Sequence, residues 1–218
     1  MAVLQVNPTR MELTRLKRRL QTSKRGHSLL KDKRDDLMKK FLELVRQNKE
    51  LREQVEQKIM GVYEGFAIAS AVMSPGMLEE ALMLPKDQVE LEVGSANMMS
   101  VQVPVFTFRR SGGQGGMYPY GFAFTSGELD DSVAALSQVL PLLLELAEKE
   151  KTAQLLAEEI EKTRRRVNAL EYVQIPTLQE TIKSIASKLE ENERSNTARL
   201  MKIKDMMVAE ARAKEHSA

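Results

Sequence analysis

The feature that most limits the fold is a stripe that begins at Leu13. Positions 13, 16, 20, 23, 27, 30, 34, 37, 41, 44, 48, 51, 55, 58 and 62 alternate steps of three and four. They read Leu, Leu, Leu, Ser, His, Leu, Arg, Leu, Phe, Leu, Asn, Leu, Val, Lys and Val. Such a stripe, held over about seven heptads, is a coiled-coil seam rather than the face of an ordinary surface helix. At ~1.5 Å per residue, roughly fifty residues of it make a rod about 75 Å long. A second seam runs through Leu156, Ile160, Thr163, Val167, Leu170 and Gln174, then Leu178, Ile182, Ile185, Leu189, Asn192 and Asn196, and ends at Leu200, Ile203 and Met207. The steps 174 to 178 to 182 are two fours in succession, a stutter that locally unwinds a supercoil. Pro176 stands inside it, and a proline in a helix interior costs about 3 kcal/mol. The expectation is a continuous helix with a local irregularity at that point.

Between the seams the period changes to two. Val89, Leu91 and Val93 alternate with Glu90 and Glu92 as in a half-buried strand, and Val101, Val103 and Val105 repeat the pattern, followed by Phe106 and Phe108. The run SGGQGG from Ser111 to Gly116 reads as a mobile hairpin tip, with Tyr120, Phe122 and Phe124 alternating again beyond it. Pro75, Pro85, Pro104 and Pro119 exclude a long helix here. The fold class is therefore mainly α: a long antiparallel two-helix coiled coil formed by the N- and C-terminal helices, with a small β-hairpin-containing insert at the turn end. The segments expected are an N-terminal coiled-coil helix over 1–72, the insert over 73–128, a C-terminal coiled-coil helix over 129–210 and a flexible tail over 211–218. A parallel homodimer fits the seams too, but an insert between two similar seams favours folding within one chain.

Composition narrows the function more by exclusion. There is no cysteine, which removes disulfides and thiolate chemistry. The formal charge is only +2 and gives no overall field for nucleic acid or an anionic membrane. The longest apolar run, Val139 to Leu146, is interrupted by Pro141 and Glu145 and is too short to span a bilayer. His27 and His216 are the only histidines and stand far apart, so no metal site is expected. No nucleophile with an orienting base and no acid–base pair stands out, and no cofactor motif is present; the glycine run matches neither phosphate-binding fingerprint. The chain reads as a non-catalytic, cytoplasmic protein.

Charge is nonetheless uneven. Arg10 to Lys40 contains twelve Lys or Arg against four Asp or Glu, while Glu145 to Glu161 is acidic. His27, Arg34 and Asn48 place polar groups on the seam, where they fix register or reach its edge. Arg164 to Arg166 fall opposite about Glu50 to Glu56 if the helices pair in the expected register. A basic helix end suits nucleic acid or a protein collar; the absence of interleaved aromatics weakens the first.

Several stretches resemble the D subunit of V-type and A-type rotary ATPases: NPTRMELTRLKRRL (7–20), RGHSLLKDKRDDLMKKF (25–41), EEIEKTRRRVNALEYVQIPTLQETI (158–182) and KLEENERSNTARLMKIK (188–204). The resemblance covers both helices and is looser over about 75–128. It implies a central rotor shaft that binds no nucleotide. The shaft's helix ends would sit inside a hexamer of catalytic A and non-catalytic B subunits. Its lower part would meet the F subunit and the socket subunit on the membrane rotor ring, peripheral to the membrane, with no nucleic acid and no membrane insertion of its own. On this reading Arg10, Arg15, Lys33, Arg34, Arg165, Arg166, Arg199 and Lys202 are the candidate contacts to the A and B stator. Val62, Phe66, Leu140, Leu143 and Leu144 are the candidate contacts to the F subunit, unless the insert covers them. A prefoldin-like chaperone and a nucleic-acid-associated coiled coil are the rival classes.

Overall fold

The computed structural model describes residues 4–84, 87–112, 118–121, 123 and 125–216, with the side chains of 87, 111, 112 and 210–216 left aside. The elements run α1 (Arg10–Val72), α2 (Pro75–Leu82), β1 (Asp87–Met98), β2 (Val101–Gly112), α3 (Gly127–Asn168), a π-helical segment (Ala169–Gln174) and α4 (Ile175–His216). Two compact units emerge: one from Met1–Arg34 and Lys162–Ala218, the other from Asp35–Glu161. The helix α4 reaches into the stretch expected as a tail, 211–218, whose side chains lie outside the described residues.

Helix starts follow their local chemistry. Thr9 caps α1, its hydroxyl accepting the Glu12 N–H at 3.2 Å, and the acidic Glu12 in the first turn complements the helix dipole. Ser126 does the same for α3 through the Leu129 N–H at 3.4 Å, ahead of Glu128 and Asp130. Pro75 sits in the first turn of α2, where its missing N–H leaves nothing unbonded.

In the first unit, Leu16 packs on Leu178 and Ile185, with Leu13, Leu20, Ile182 and Leu189 around them. Rising numbers on α1 meet falling numbers on α4, so the pairing is antiparallel. In the second unit, Leu37 packs against Leu156 and Ile160 of α3. Farther along, a Cβ on Gly65 would lie 2.5 Å from the Ser132 hydroxyl, so glycine lets α1 and α3 approach closely there. Of the α1 seam positions from 13 to 62, all are buried or half-buried except Lys58.

The ribbon β1–β2 pairs antiparallel from Asp87↔Gly112 to Met98↔Val101. Its tip is Met99–Ser100, both at positive φ (52° and 71°), and the Ser100 N–H donates to Asn97 Oδ1 at 2.9 Å. The expected tip, SGGQGG, is elsewhere: Ser111 and Gly112 end β2, and 113–116 lie outside the described residues. Left-handed conformations at two non-glycine residues cost about 1–2 kcal/mol each. Packing offsets this, because Met98, Met99, Val101 and Val103 join the Leu37–Leu156–Ile160 cluster. The expected half-burial of Val89, Leu91 and Val93 is not found; all three are exposed, because β2 is the strand against α3. Tyr120 lies in a bend rather than a strand, and Phe122 and Phe124 lie outside the described residues.

The ribbon lies along α3. Arg110 donates to the Ser137 carbonyl at 2.5 Å, the Phe106 N–H donates to Glu148 at 2.9 Å, and Val101 and Val103 reach Leu156 and Ile160. Nine strand residues and about twenty-one helix residues both span roughly 31 Å, so the two run side by side.

Two prolines interrupt the helices, and each is accommodated differently. Pro141 lies inside α3 and cannot donate to the carbonyl four residues earlier, that of Ser137. Arg110 supplies the missing donor. At Pro176 the chain instead widens into the π-helical segment, and the Ile175 N–H bonds to the Leu170 carbonyl five residues back. The helix continues through the stutter with a local irregularity, as its spacing predicts.

The Pro141 arrangement predicts a coupling. Arg110→Met should destabilise the fold by about 0.5–1.5 kcal/mol, the typical net worth of a hydrogen bond whose lost donor water can replace at this exposed site. In a Pro141→Ala background the same change should cost clearly less, and denaturant melts of the four proteins would measure the difference.

Candidate functional site

A coiled-coil stripe is covered only where a partner helix faces it. On α4 the first half of the stripe is closed: Leu178 and Ile185 are 2% and 3% exposed. The same stripe continues at Asn192, Asn196, Leu200, Ile203 and Met207, and there it is open, with Leu200 at 67%, Ile203 at 53% and Met207 at 65%. The cause lies in α1, which begins only at Arg10; its guanidinium pairs with Glu193. The residues before it turn back, the Leu4 N–H donating to the Thr181 hydroxyl at 3.2 Å. Nothing on α1 is left to cover α4 beyond Glu193. Met201, Met206 and Val208 widen the exposed apolar arc to about 220° at ~100° per residue. Arg199, Lys202 and Lys204 punctuate it with positive charge.

All eight basic residues singled out from the sequence belong to this first unit. Arg10 is engaged by Glu193, and Arg15 by Glu12 at 3.2 Å. Lys33 and Arg34 are half-buried and hold polar interactions of their own, as does the exposed Arg165. Arg166, Arg199 and Lys202 are exposed without an ion-pair partner among the described residues. The expected facing of Arg164–Arg166 and Glu50–Glu56 is corrected. His27 on α1 meets Glu171 at 3.3 Å, which sets Arg164–Arg166 level with about residues 32–34. The arginine run itself follows from the seam. Thr163 and Val167 are both 1% exposed, and a step of four places the three residues between them on the outer side.

The second unit holds the other five candidates. Val62 is buried, Leu140, Leu143 and Leu144 are half-buried, and Phe66 is 37% exposed. Their side chains thus supply less free surface than the sequence suggests. The open apolar surface comes from neighbours on α1, namely Met60, Tyr63, Ile68 and Val72, all exposed. Between α1 and α3 lies a cleft of about 390 Å³ lined by Lys58, Gly61, Gly65, Ser132, Ala135 and Gln138. Gly61 and Gly65, four residues apart on one helix face, were the available signal for this cleft, and a seam reading passes over them. Nearby, the Tyr120 hydroxyl donates to Asp130 at 2.8 Å; burial, then that bond, pushes the phenol above its ordinary value of 10.

Among the described residues no group of His, Asp and Glu is arranged to hold a metal ion, and no helix is long and apolar enough to cross a membrane. What the geometry offers is surfaces for partners: an open apolar, basic-flanked helix end in one unit, and exposed apolar side chains on α1 with a small-residue cleft in the other.

Comparison with known proteins agrees over nearly the whole length. The model of the family described as the ATP synthase D subunit matches residues 12–205. The V-type ATP synthase D subunit of Acetivibrio thermocellus is 64% identical over 212 residues, 97% of this chain and 96% of that protein. That of Clostridioides difficile is 61% identical over 211 residues, covering 97% and 95%. That of Clostridium botulinum strain Alaska E43 is 59% identical over 209 residues, covering 95% and 98%.

The two halves of the α4 stripe should respond differently to substitution. Leu178→Ala should cost about 2–5 kcal/mol as a core truncation. Ile203→Ser, on the open half, should shift the isolated chain's stability by no more than about 0.5 kcal/mol. Thermal unfolding followed by circular dichroism separates the two.

Proposed function

The chain belongs to the ATP synthase D subunit family, and on that premise we propose that it is the non-catalytic central shaft that carries torque between the A/B hexamer and the membrane rotor. As one component of an ATP synthase it works in a complex with the other subunits. The observation that carries the finer reading is the open stripe at Leu200, Ile203 and Met207. An isolated protein gains nothing by leaving six apolar side chains in water at a helix end, whereas a shaft tip seated in a collar covers them on assembly.

The surrounding charges suit a bearing. Arg166, Arg199 and Lys202 stand exposed around the same unit, and exposed ion pairs contribute only ~0–1 kcal/mol each. Contacts of that size can be broken and remade as the shaft turns past acidic stator loops. The seam beneath them supplies stiffness, since Leu16, Leu178 and Ile185 lock the two arms together. In the second unit, the exposed apolar side chains of α1 and the Gly61–Gly65 cleft suit a smaller partner, which we assign to the F subunit. The socket subunit on the rotor ring completes the path to the membrane. The shaft is peripheral to the membrane on its cytoplasmic side, with no part in ion binding.

Reconstitution with A, B and F subunits tests both surfaces. Leu200→Ser, Ile203→Ser and Met207→Ser together should leave the chain folded but lower the turnover of the assembled hexamer at least tenfold. Phe66→Ala with Leu143→Ala should release the F subunit while hexamer binding persists. Full turnover with the triple variant would overturn the shaft-tip assignment.

A further inference from the structure

The ribbon has an inner and an outer strand. β2 faces α3, whereas β1 is exposed at every residue from 88 to 97. The ladder fixes which backbone groups of β1 point outward. The Phe106 N–H leaves the ladder to bond Glu148, so Val93, directly opposite Phe106, also turns its N–H and C=O away from its partner strand. The period of two extends this to Val89, Leu91, Ser95 and Asn97. Pro104, opposite Ser95, agrees, since proline fits where the ladder needs no N–H. Among the described residues no backbone bond outside the ladder involves β1.

The result is an open edge about 27 Å long at ~3.4 Å per residue. It carries exposed Val89, Leu91 and Val93 and no lysine or proline of the kind that usually closes an edge. Its only charges from 88 to 98 are Glu90 and Glu92. A second copy paired antiparallel about Leu91 would set Glu90 opposite Glu92 of the other chain, and like charges directly opposed are unfavourable. A strand bearing Lys or Arg at those positions would meet both carboxylates.

We propose that the outer edge of β1 binds an extended, lysine- or arginine-bearing segment of another component of the assembly, which adds to the ribbon as a third strand. This rests on the shaft reading only for who supplies the strand. Residue-resolved amide exchange tests it. In the full chain alone, the amides of residues 89, 91, 93, 95 and 97 should exchange fast while those of 90, 92, 94 and 96 are protected by the ladder. In the reconstituted assembly the outward set should slow at least tenfold. An unchanged rate in an assembly that turns over ATP overturns the docking edge and leaves the shaft reading standing.

A peptide of alternating Val and Lys, added to the full chain, should also slow the outward amides tenfold, and one of alternating Val and Glu should not. Equal effects, or none from either, would contradict the charge argument. Leu91→Pro, which removes one outward N–H as Pro104 does, should abolish the peptide's effect while the inward amides stay protected; Leu91→Ala should retain it. Protection of the chain alone that grows with its concentration would mean a second copy fills the edge, and the proposal would fall.

Discussion

Everything in this chain depends on one rule of packing: an apolar stripe on a helix must be covered, and it can be covered only by what lies opposite. The α1 stripe is answered by α4 in one unit and by α3 in the other, with Leu16 against Leu178 and Ile185, and Leu37 against Leu156 and Ile160. At roughly 1.5–3 kcal/mol for each fully buried large aliphatic side chain, these contacts hold the two arms together. The same rule makes the exceptions informative. Lys58 is exposed on the seam beside the Gly61–Gly65 cleft, and the α4 stripe runs on bare past Glu193 because α1 has ended.

Backbone satisfaction is the second constraint, and the two mid-helix prolines show two ways of meeting it. Pro141 leaves the Ser137 carbonyl unbonded, and the ribbon reaches over with Arg110 to bond it. That single bond ties β2 to α3 at one end of a contact that Val101 and Val103 close at the other. Among the described residues no side chain does the same at Pro176. There the helix opens by one residue per turn, which also absorbs the stutter in the seam. π-helical turns inside α-helices are rare and occur often at functional sites.

The long helices were legible because their signal is local: three-four spacing states which residues share a face, and as far as Leu189 the structure buries or half-buries all of them but Lys58. The register between the helices was not legible. Many alignments bury the same stripe, and only contacts such as His27 with Glu171 select one, which is why Arg164–Arg166 do not face Glu50–Glu56. Alternation correctly placed Val89, Leu91 and Val93 on a strand but could not reveal which strand of a two-stranded ribbon would be covered. The turn at Met99–Ser100 was hidden because core packing of Val101 and Val103 overrides the glycine preference of positive φ. Of the candidate contacts, the basic residues fell together in one unit as their clustering suggested. The free apolar surface in the other unit lies more on Met60, Tyr63 and Ile68 than on Leu140 or Leu143.

What the described residues offer is surfaces: a packed seam, an open α4 end and an open ribbon edge. The central claim, that this protein turns, can be watched directly. The chain contains no cysteine, so a single cysteine introduced at exposed Met83, outside the surfaces assigned to partners, labels one site for a bead. With the A/B hexamer fixed to a surface, ATP should drive stepwise rotation of the bead in one direction, at a rate that tracks hydrolysis. A bead that stays still while ATP is hydrolysed by the same complexes would contradict the account.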